Sequence, residues 1–521
     1  MTLREKLVGA VLVLLTILAV TVNQRDVGIA RDETVYIRYG DQYASWWTGL
    51  FTGKSKLSTK SITATFGGPA PTDNNREHPP LMKYAFGFSA KLFGDSLTAH
   101  RFPGALMQGL GVGLVYWFAL SLWGFAEAVL AALLLLLLPR ALFHAGLACF
   151  DAPAMTLWFA TIVAYWRCMD GREWPWQVGV VWGLALATKH TALLLPFALG
   201  VHYVVVGVRA AGWRGMIQHR WRVIVSLAVL GPLTLFALWP WLWLDPIAHV
   251  REWLAFHMHH VHYNFEYLGK NWNAPPFPWH VALVTTLFTV PVVTLGAALL
   301  GSFAWLGTWI APGPEQEDAR MPVLLLVLSA CAALGPFFLG TTPIFGAEKH
   351  WMPALPTIVL AAAVGVVWAA RLVMRRYALP ALASLVVLAA ATETITAQPY
   401  ALTWYNALAG GAPGGADLGM NRQFWGVAAR GVLPVIGSGK VYTHDASPAW
   451  DAYKDAGLVH ATDAGPEQIG IDNSNVAIVI HELHFNRHDY MIWKSYGTVQ
   501  PVFVLRSDGV PIVSVYRRPV K

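Results

Sequence analysis

The sequence predicts a polytopic α-helical membrane protein of about eleven transmembrane helices, with a small α/β domain at its C-terminal end. Three observations lead to that class. Of 521 residues, 55% are hydrophobic and 13% are charged, about half the charged share of a soluble domain. Apolar runs approaching the twenty residues that cross a bilayer recur through the first 397 positions. The last 124 residues break that pattern, with ten acidic and ten basic side chains and strand-like runs. The composition excludes a secreted repeat protein, a disordered chain and a cytosolic enzyme. Cys149, Cys168 and Cys331 are the only cysteines and form neither a disulfide framework nor a CxxC metal spacing.

The first apolar run, Leu7 to about Val22, follows Arg4 and Lys6. No small-x-small cleavage site follows it, so it reads as an uncleaved span starting in the cytoplasm. Further spans fall at about 101–120, 125–138, 151–167, 177–189, 191–208, 223–243, 279–308, 322–340, 351–370 and 378–397. The basic clusters test this count. Arg167 and Arg172, then Arg209, Arg214, Arg220 and Arg222, then Arg320, then Arg371, Arg375 and Arg376 all fall on the starting side. That is the positive-inside pattern, and it also accounts for a net charge of +7 without a nucleic-acid partner.

Segments 24–100, 244–278, 341–350 and 398–521 are thereby expected on the exoplasmic side. In the first, Leu81 to Phe93 reads as an amphipathic helix on the membrane surface. Ahead of the second, Trp239, Trp241 and Trp243 read as interface anchors. Two regions result: a membrane module, 1–397, with exoplasmic loops 24–100 and 244–278, and an exoplasmic domain, 398–521. In the latter, strands are expected at Asn475–Ile480, Pro501–Leu505 and Val510–Tyr516. Asp508-Gly509 between the last two is a hairpin signal.

Five constellations could carry chemistry, and the topology places all of them on one face. Asp32 and Glu33, beside Arg31, are paired carboxylates of the kind that serve as a general base; a surface salt bridge is the plainer alternative. In Glu77-His78-Pro79-Pro80-Leu81-Met82-Lys83, the prolines can open a helix whose start presents His78 and Lys83 to an anion. Arg101, Arg140, Asp151, Lys189 and His190 lie in or at the ends of spans, where charge is costly and suggests function; Arg140 and Asp151 could pair across one turn. His257 and His260, at i and i+3, could share a metal ion with Glu77 or Glu266. Last is the charged tip Glu348-Lys349-His350, from which Glu348 and His350 are taken as acceptor or loop residues. Cations outnumber acids at this face, which suits a phosphate headgroup.

The order of these motifs resembles the GT-C glycosyltransferases. Within them it is similar to the protein O-mannosyltransferase and aminoarabinose-transferase group. One span precedes the Asp32-Glu33 pair, and a long loop then ends in His78-Pro79-Pro80-Leu81-Met82-Lys83. The likeness continues in Leu97-Thr98-Ala99-His100-Arg101-Phe102-Pro103, Asp151-Ala152-Pro153, Ala187-Thr188-Lys189 and Glu348-Lys349-His350-Trp351-Met352-Pro353. Tyr405-Asn406-Ala407-Leu408-Ala409-Gly410-Gly411 looks like the segment that opens the exoplasmic tail in bacterial relatives. The likeness covers about residues 7–425.

The resemblance implies an undecaprenyl- or dolichyl-phosphate sugar as donor, with direct displacement and inversion at the outer face of a bacterial inner membrane. Asp32 would be the base, Asp151 a second acid, and His78, Arg101 and Lys189 the cations that bind the phosphate. The acceptor would be a lipid, glycan or protein hydroxyl. The aminoarabinose enzymes carry lysine where this chain has His78. The mannosyltransferases carry histidine there but insert a folded domain for which no segment here is long enough, so protein mannosylation does not carry over. No cofactor is required for catalysis on this reading. Structural zinc at Glu77, His257 and His260 is allowed, and a catalytic divalent cation stays open. The rival class, a transporter or flippase of a lipid-linked saccharide, would show matched halves with broken spans, and the sequence has none.

Overall fold

The computed structural model describes residues 1–169, 171, 174–310 and 314–519; Arg172 lies outside the described residues. All eleven predicted spans fall on helices. Among the described residues, seven helices are long and apolar enough to cross a membrane, and the pair Phe125–Leu136 and Pro139–Ala145, bent by 67°, makes an eighth if taken as one span. The other three expected spans are Asp151–Met169, Trp176–Leu186 and a stretch over 222–238 interrupted by a π turn at Ser226–Leu230. They miss the length or apolarity of the rest. An eleven-residue helix reaches only about 16 Å, and Asp151–Met169 carries charge at both ends.

One expected span is corrected. The run 279–308 is two helices, Val281–Thr289 and Val292–Ile310. Pro291 biases the residue before it toward extended backbone, and Val290 is extended there (φ −99°, ψ 138°).

The loop over 24–100 is more ordered than its sequence suggested. It folds into helices Arg31–Thr52 and Thr59–Phe66 ahead of Leu81–Phe93. Asp32 and Glu33 occupy the first turn of Arg31–Thr52, where the helix dipole favours negative charge. The Leu81–Phe93 helix buries one face inside the protein and leaves Phe88, Leu92 and Phe93 exposed. Met82, Lys83, Tyr84, Phe86, Gly87, Ser89 and Ala90 are all buried, and it packs between Arg31–Thr52 and Leu97–Leu122. Two glycines allow the approach: a Cβ on Gly87 would lie 2.2 Å from the Gly40 carbonyl oxygen. Of the expected interface anchors, Trp239 and Trp241 are buried. Trp241 stacks under the Arg76 guanidinium at 5.0 Å.

The C-terminal domain is a three-layer α/β unit, and the expected hairpin is present. Phe503–Ser507 and Val510–Arg517 pair antiparallel. Asp508 (φ +47°) and Gly509 (φ +79°) form the two-residue turn that such a pair requires. The sheet runs Thr462–Asp463, Lys440–Tyr442, Val476–Ile480, Val510–Arg517, Phe503–Ser507, with the first three parallel. Val476–Ile480 is apolar at every position because both its faces are covered. Val476, Ile478 and Ile480 join a core with Trp450, Tyr453 and Ile436, while Ala477 and Val479 face Ile471, Ile492 and Tyr496. The first of these cores also takes in Ile29, three residues before Asp32.

Candidate active site

The adjacent carboxylates Asp32 and Glu33 have opposite surroundings. Glu33 is fully buried and accepts four hydrogen bonds: from Arg101 Nε and Nη2, both at 2.7 Å, from the Ala148 N–H at 2.7 Å, and from the Ala30 N–H at 3.2 Å. A carboxylate so filled has no lone pair left to take a proton, which corrects its assignment as catalytic. Asp32 keeps 29% of its side chain exposed. Its Oδ2 accepts from Trp425 Nε1 at 3.0 Å and lies 3.6 Å from Lys349 Nζ, and its Oδ1 faces Arg31 Nε at 3.8 Å.

Arg101 is corrected for the same reason. Its other nitrogen, Nη1, donates to the Gln24 and Val27 carbonyls at 2.9 and 3.1 Å, and Nη2 also donates to the Gly28 carbonyl at 2.7 Å. All five guanidinium N–H groups are used, and the side chain is 1% exposed. Arg101 therefore ties the chain between the first span and Asp32 in place and has no donor for a phosphate.

Lys83 is likewise internal. Its Nζ donates to the Asn75 carbonyl (2.6 Å), the Asn75 Oδ1 (3.1 Å) and the His78 carbonyl (2.8 Å), and it lies 4.8 Å from the centre of the Tyr43 ring. Burial pulls its pKa down to about 7, against Glu77, which raises it. Lys83 thus shapes the His78-Pro79-Pro80 loop from beneath and does not face an anion.

The remaining predicted residues divide. Lys189 Nζ donates to Asp151 Oδ1 at 2.6 Å and to the Lys349 carbonyl at 3.1 Å, linking two constellations that lie 160 positions apart. The expected Arg140–Asp151 pair does not form. Arg140 instead donates to Glu348 Oε2 at 2.8 Å and to the Leu402 and Trp404 carbonyls. Burial pushes the Glu348 carboxyl up, but Arg140 and His144 outweigh it and hold it below the usual range. Glu348 is therefore a buried brace beneath the loop and not an acceptor contact. His350 Nε2 bonds the Phe345 carbonyl at 2.7 Å. Burial, with Lys189 and Lys349 nearby, keeps it well below the usual histidine range and neutral.

His78 keeps a quarter of its side chain exposed. Its ring centre stands 5.6 Å from that of Tyr36 and 5.7 Å from that of Phe150. Burial, then His257 and Lys83, lower its pKa far below the ordinary value, so it offers one N–H and no charge. His257 stacks on His190, with ring centres 3.7 Å apart and planes at 21°.

The zinc set that the sequence allowed, Glu77, His257 and His260, is not drawn together by the fold. His257 Nε2 bonds the backbone carbonyl of Glu77 at 3.0 Å, His260 Nδ1 lies 2.6 Å from the Val261 carbonyl, and the Glu77 carboxylate accepts from Asn75 Nδ2 at 2.8 Å. Glu266 accepts from the Leu483 N–H in the C-terminal domain. Among the described residues, only Asp41, Asp95 and His100 bring three ligand atoms within 4.8 Å of one another. There His100 faces the two acids with different ring nitrogens, Asp41 at 3.0 Å and Asp95 at 3.9 Å.

What the structure gathers is Asp32, Lys349, the Lys189–Asp151 pair, His78 and the His190–His257 stack. Lys349 and Trp425 are the members that sequence reasoning missed. The first sat between two nominated residues, Glu348 and His350. Trp425 carried no signal, being 393 positions from its partner.

Comparison with known proteins bears on this arrangement. A family model described as dolichyl-phosphate-mannose-protein mannosyltransferase matches residues 77–241. An undecaprenyl phosphate-alpha-4-amino-4-deoxy-L-arabinose arabinosyl transferase of Pseudomonas fluorescens strain Pf0-1 is 29% identical over 265 residues, 48% of this chain and 42% of the relative. A second such transferase of the same species is 33% identical over 138 residues, a quarter of each chain. The matched part thus spans under half the length of these curated relatives.

Among solved structures, ArnT from Cupriavidus metallidurans bound to undecaprenyl phosphate superposes with a TM-score of 0.52 at 16% identity, covering 97% of each chain. The Archaeoglobus fulgidus oligosaccharyltransferase in its apo form gives 0.50 at 12% identity, covering 95% of this chain and 72% of that one. The fold is the one these proteins share. The resemblance read from the motifs, to the GT-C glycosyltransferases and to the mannosyltransferase and aminoarabinose-transferase group within them, holds in sequence and in fold.

Proposed function

We propose that this protein is an inverting glycosyltransferase that moves a sugar from a polyprenyl-phosphate donor to a hydroxyl acceptor at the exoplasmic face of a bacterial inner membrane. One observation carries the reading. Of two neighbouring carboxylates, one is spent on structure and the other, Asp32, is partly exposed, oriented by an indole N–H and 3.6 Å from an ammonium. A buried structural ion pair has no use for that exposure, whereas a base must reach a substrate proton.

In the reaction, Asp32 takes the proton of the acceptor hydroxyl as its oxygen attacks the anomeric carbon. The bond from that carbon to the phosphate oxygen breaks, and polyprenyl phosphate leaves with the electron pair. Lys189, held by Asp151, and Lys349 stabilise the charge that develops on the phosphate; such preorganised charges count for more in a water-poor site than in solution. Neutral His78 donates one hydrogen bond. Arg101 and Lys83 act indirectly, by fixing the loops that carry Asp32 and His78. No cofactor enters this scheme. Undecaprenyl phosphate is the carrier the bacterial relatives favour, and the acceptor is a lipid, glycan or protein.

Mass spectrometry of glycolipids and glycoproteins from cells with and without the gene tests the proposal. A sugar lost from a hydroxyl-bearing product is the expected result and identifies sugar and acceptor together. An unchanged product set, with a lipid-linked saccharide accumulating on one side of the membrane, would support the transporter reading instead.

A further inference from the structure

We infer that Trp425, carried by the C-terminal segment, is a positioning residue that clamps the Asp32 carboxylate and the Lys349 ammonium in one geometry, so that the tail completes the site of the membrane module. This rests on the reading of Asp32 as the reacting base. The indole addresses both partners: its Nε1 donates to Asp32 Oδ2 at 3.0 Å, and its ring centre lies 4.3 Å from Lys349 Nζ. The indole and the ammonium thus approach the same carboxylate oxygen, the latter at 3.6 Å. The ring aims the ammonium, since a cation over an indole face is attracted to it.

The backbone of the same residue fixes the helix that presents Asp32. The Trp425 carbonyl accepts from the Arg31 N–H at 3.1 Å, supplying an acceptor to a helix start that has no side-chain cap. Trp425 takes a left-handed conformation (φ +70°), which disfavours a bulky side chain. Such departures persist where surrounding contacts enforce them, and they concentrate at functional sites. The contacts are present here. A Cβ on Gly28 would lie 1.9 Å from the Val427 carbonyl oxygen, so the loop before Asp32 and the segment after Trp425 touch backbone to backbone. Tyr453, in the core of the C-terminal domain, accepts from the Ile29 N–H at 2.7 Å, and Asp445 faces Arg31 at 3.4 Å. Gly28, Ile29, Arg31 and Asp32, four of five successive residues, are therefore gripped from the tail.

The test uses this whole 521-residue chain in lipid nanodiscs with its 25 tryptophans labelled at the indole nitrogen. Trp425→Phe identifies the Trp425 signal by its loss. Asp32→Asn should then shift that signal and leave most others in place. In cells lacking the gene, Trp425→Phe, supplied at wild-type protein level, should lower the transferred product at least about tenfold, as expected when a reacting group loses a fixed position. A Trp425 indole signal indifferent to Asp32→Asn overturns the clamp, whether or not the variant is active, and so does wild-type product from Trp425→Phe. An Asp32→Asn protein that shifts the signal yet transfers normally would leave the contact standing and overturn the base assignment instead.

Discussion

Replacing Arg101 with methionine separates the structural role found here from the phosphate-binding role its motif suggested. The substitution removes the bidentate partner of Glu33, a carboxylate with no exposed surface, and takes a donor from three backbone carbonyls, those of Gln24, Val27 and Gly28. The Ala30 and Ala148 N–H groups remain to Glu33 but carry no formal charge. Breaking a buried pair by removing one partner costs about 3–5 kcal/mol, or roughly a hundredfold and more in the ratio of folded to unfolded protein. Adding Glu33→Gln removes the stranded charge and should recover part of that loss. The assay is thermal and denaturant unfolding in detergent, with undecaprenyl phosphate binding measured on the folded fraction. A clear loss of stability, partial recovery in the double variant and near-normal binding by whatever remains folded are expected. A variant as stable as wild type that no longer binds undecaprenyl phosphate would refute the reasoning and return Arg101 to the phosphate.

Three further outcomes follow from the geometry. Lys349→Gln, which removes an ammonium beside Asp32, should lower transfer by about 10²–10³-fold with little change in melting temperature; a full-rate variant would remove Lys349 from the site. Gly87→Val places side-chain atoms against the Gly40 carbonyl and should cost about 1–3 kcal/mol by overpacking, read as a lower unfolding midpoint, with an unchanged midpoint contradicting the close helix contact. Burial raises Glu266 to about 7, against the Leu483 N–H and Arg422, so the folded protein holds a proton there that the unfolded chain releases above about 4.5. Its contribution to stability is thus fullest at the acid end and is lost as pH rises from about 4.5 through 7. Glu266→Gln should flatten that part of the stability–pH curve, and a curve of unchanged slope would argue against the buried carboxyl.

Much of the membrane module was legible because its signal is local. The apolar runs became helical, and Asp508-Gly509 marked its hairpin. Where local pattern failed, the cause can be named. Pro291 broke a run whose composition alone looked continuous. The Arg31–Thr52 helix has little net hydrophobicity, so nothing in its composition distinguished it from an exposed loop. Site residues were legible as chemical types but not as roles. Asp32 and Glu33 are neighbours with the same functional group, and only the fold decides which one meets Arg101. Lys83 and Lys189 are both lysines nominated for an anion, yet the first ends among the Asn75 and His78 carbonyls and the second beside Asp151. Trp425 lay beyond reach for a simple reason, since both its partners are distant in sequence, Asp32 by 393 positions.

The most direct test of the account compares purified wild-type protein with Asp32→Asn in nanodiscs, once the sugar donor is identified. The same preparation measures binding of undecaprenyl phosphate and release of that carrier from the loaded donor in the presence of acceptor. The account predicts that Asp32→Asn binds undecaprenyl phosphate within about threefold of wild type and releases it from donor at least about a thousandfold more slowly. That rate loss corresponds to about 4 kcal/mol of transition-state stabilisation. Near-normal release by Asp32→Asn would contradict it.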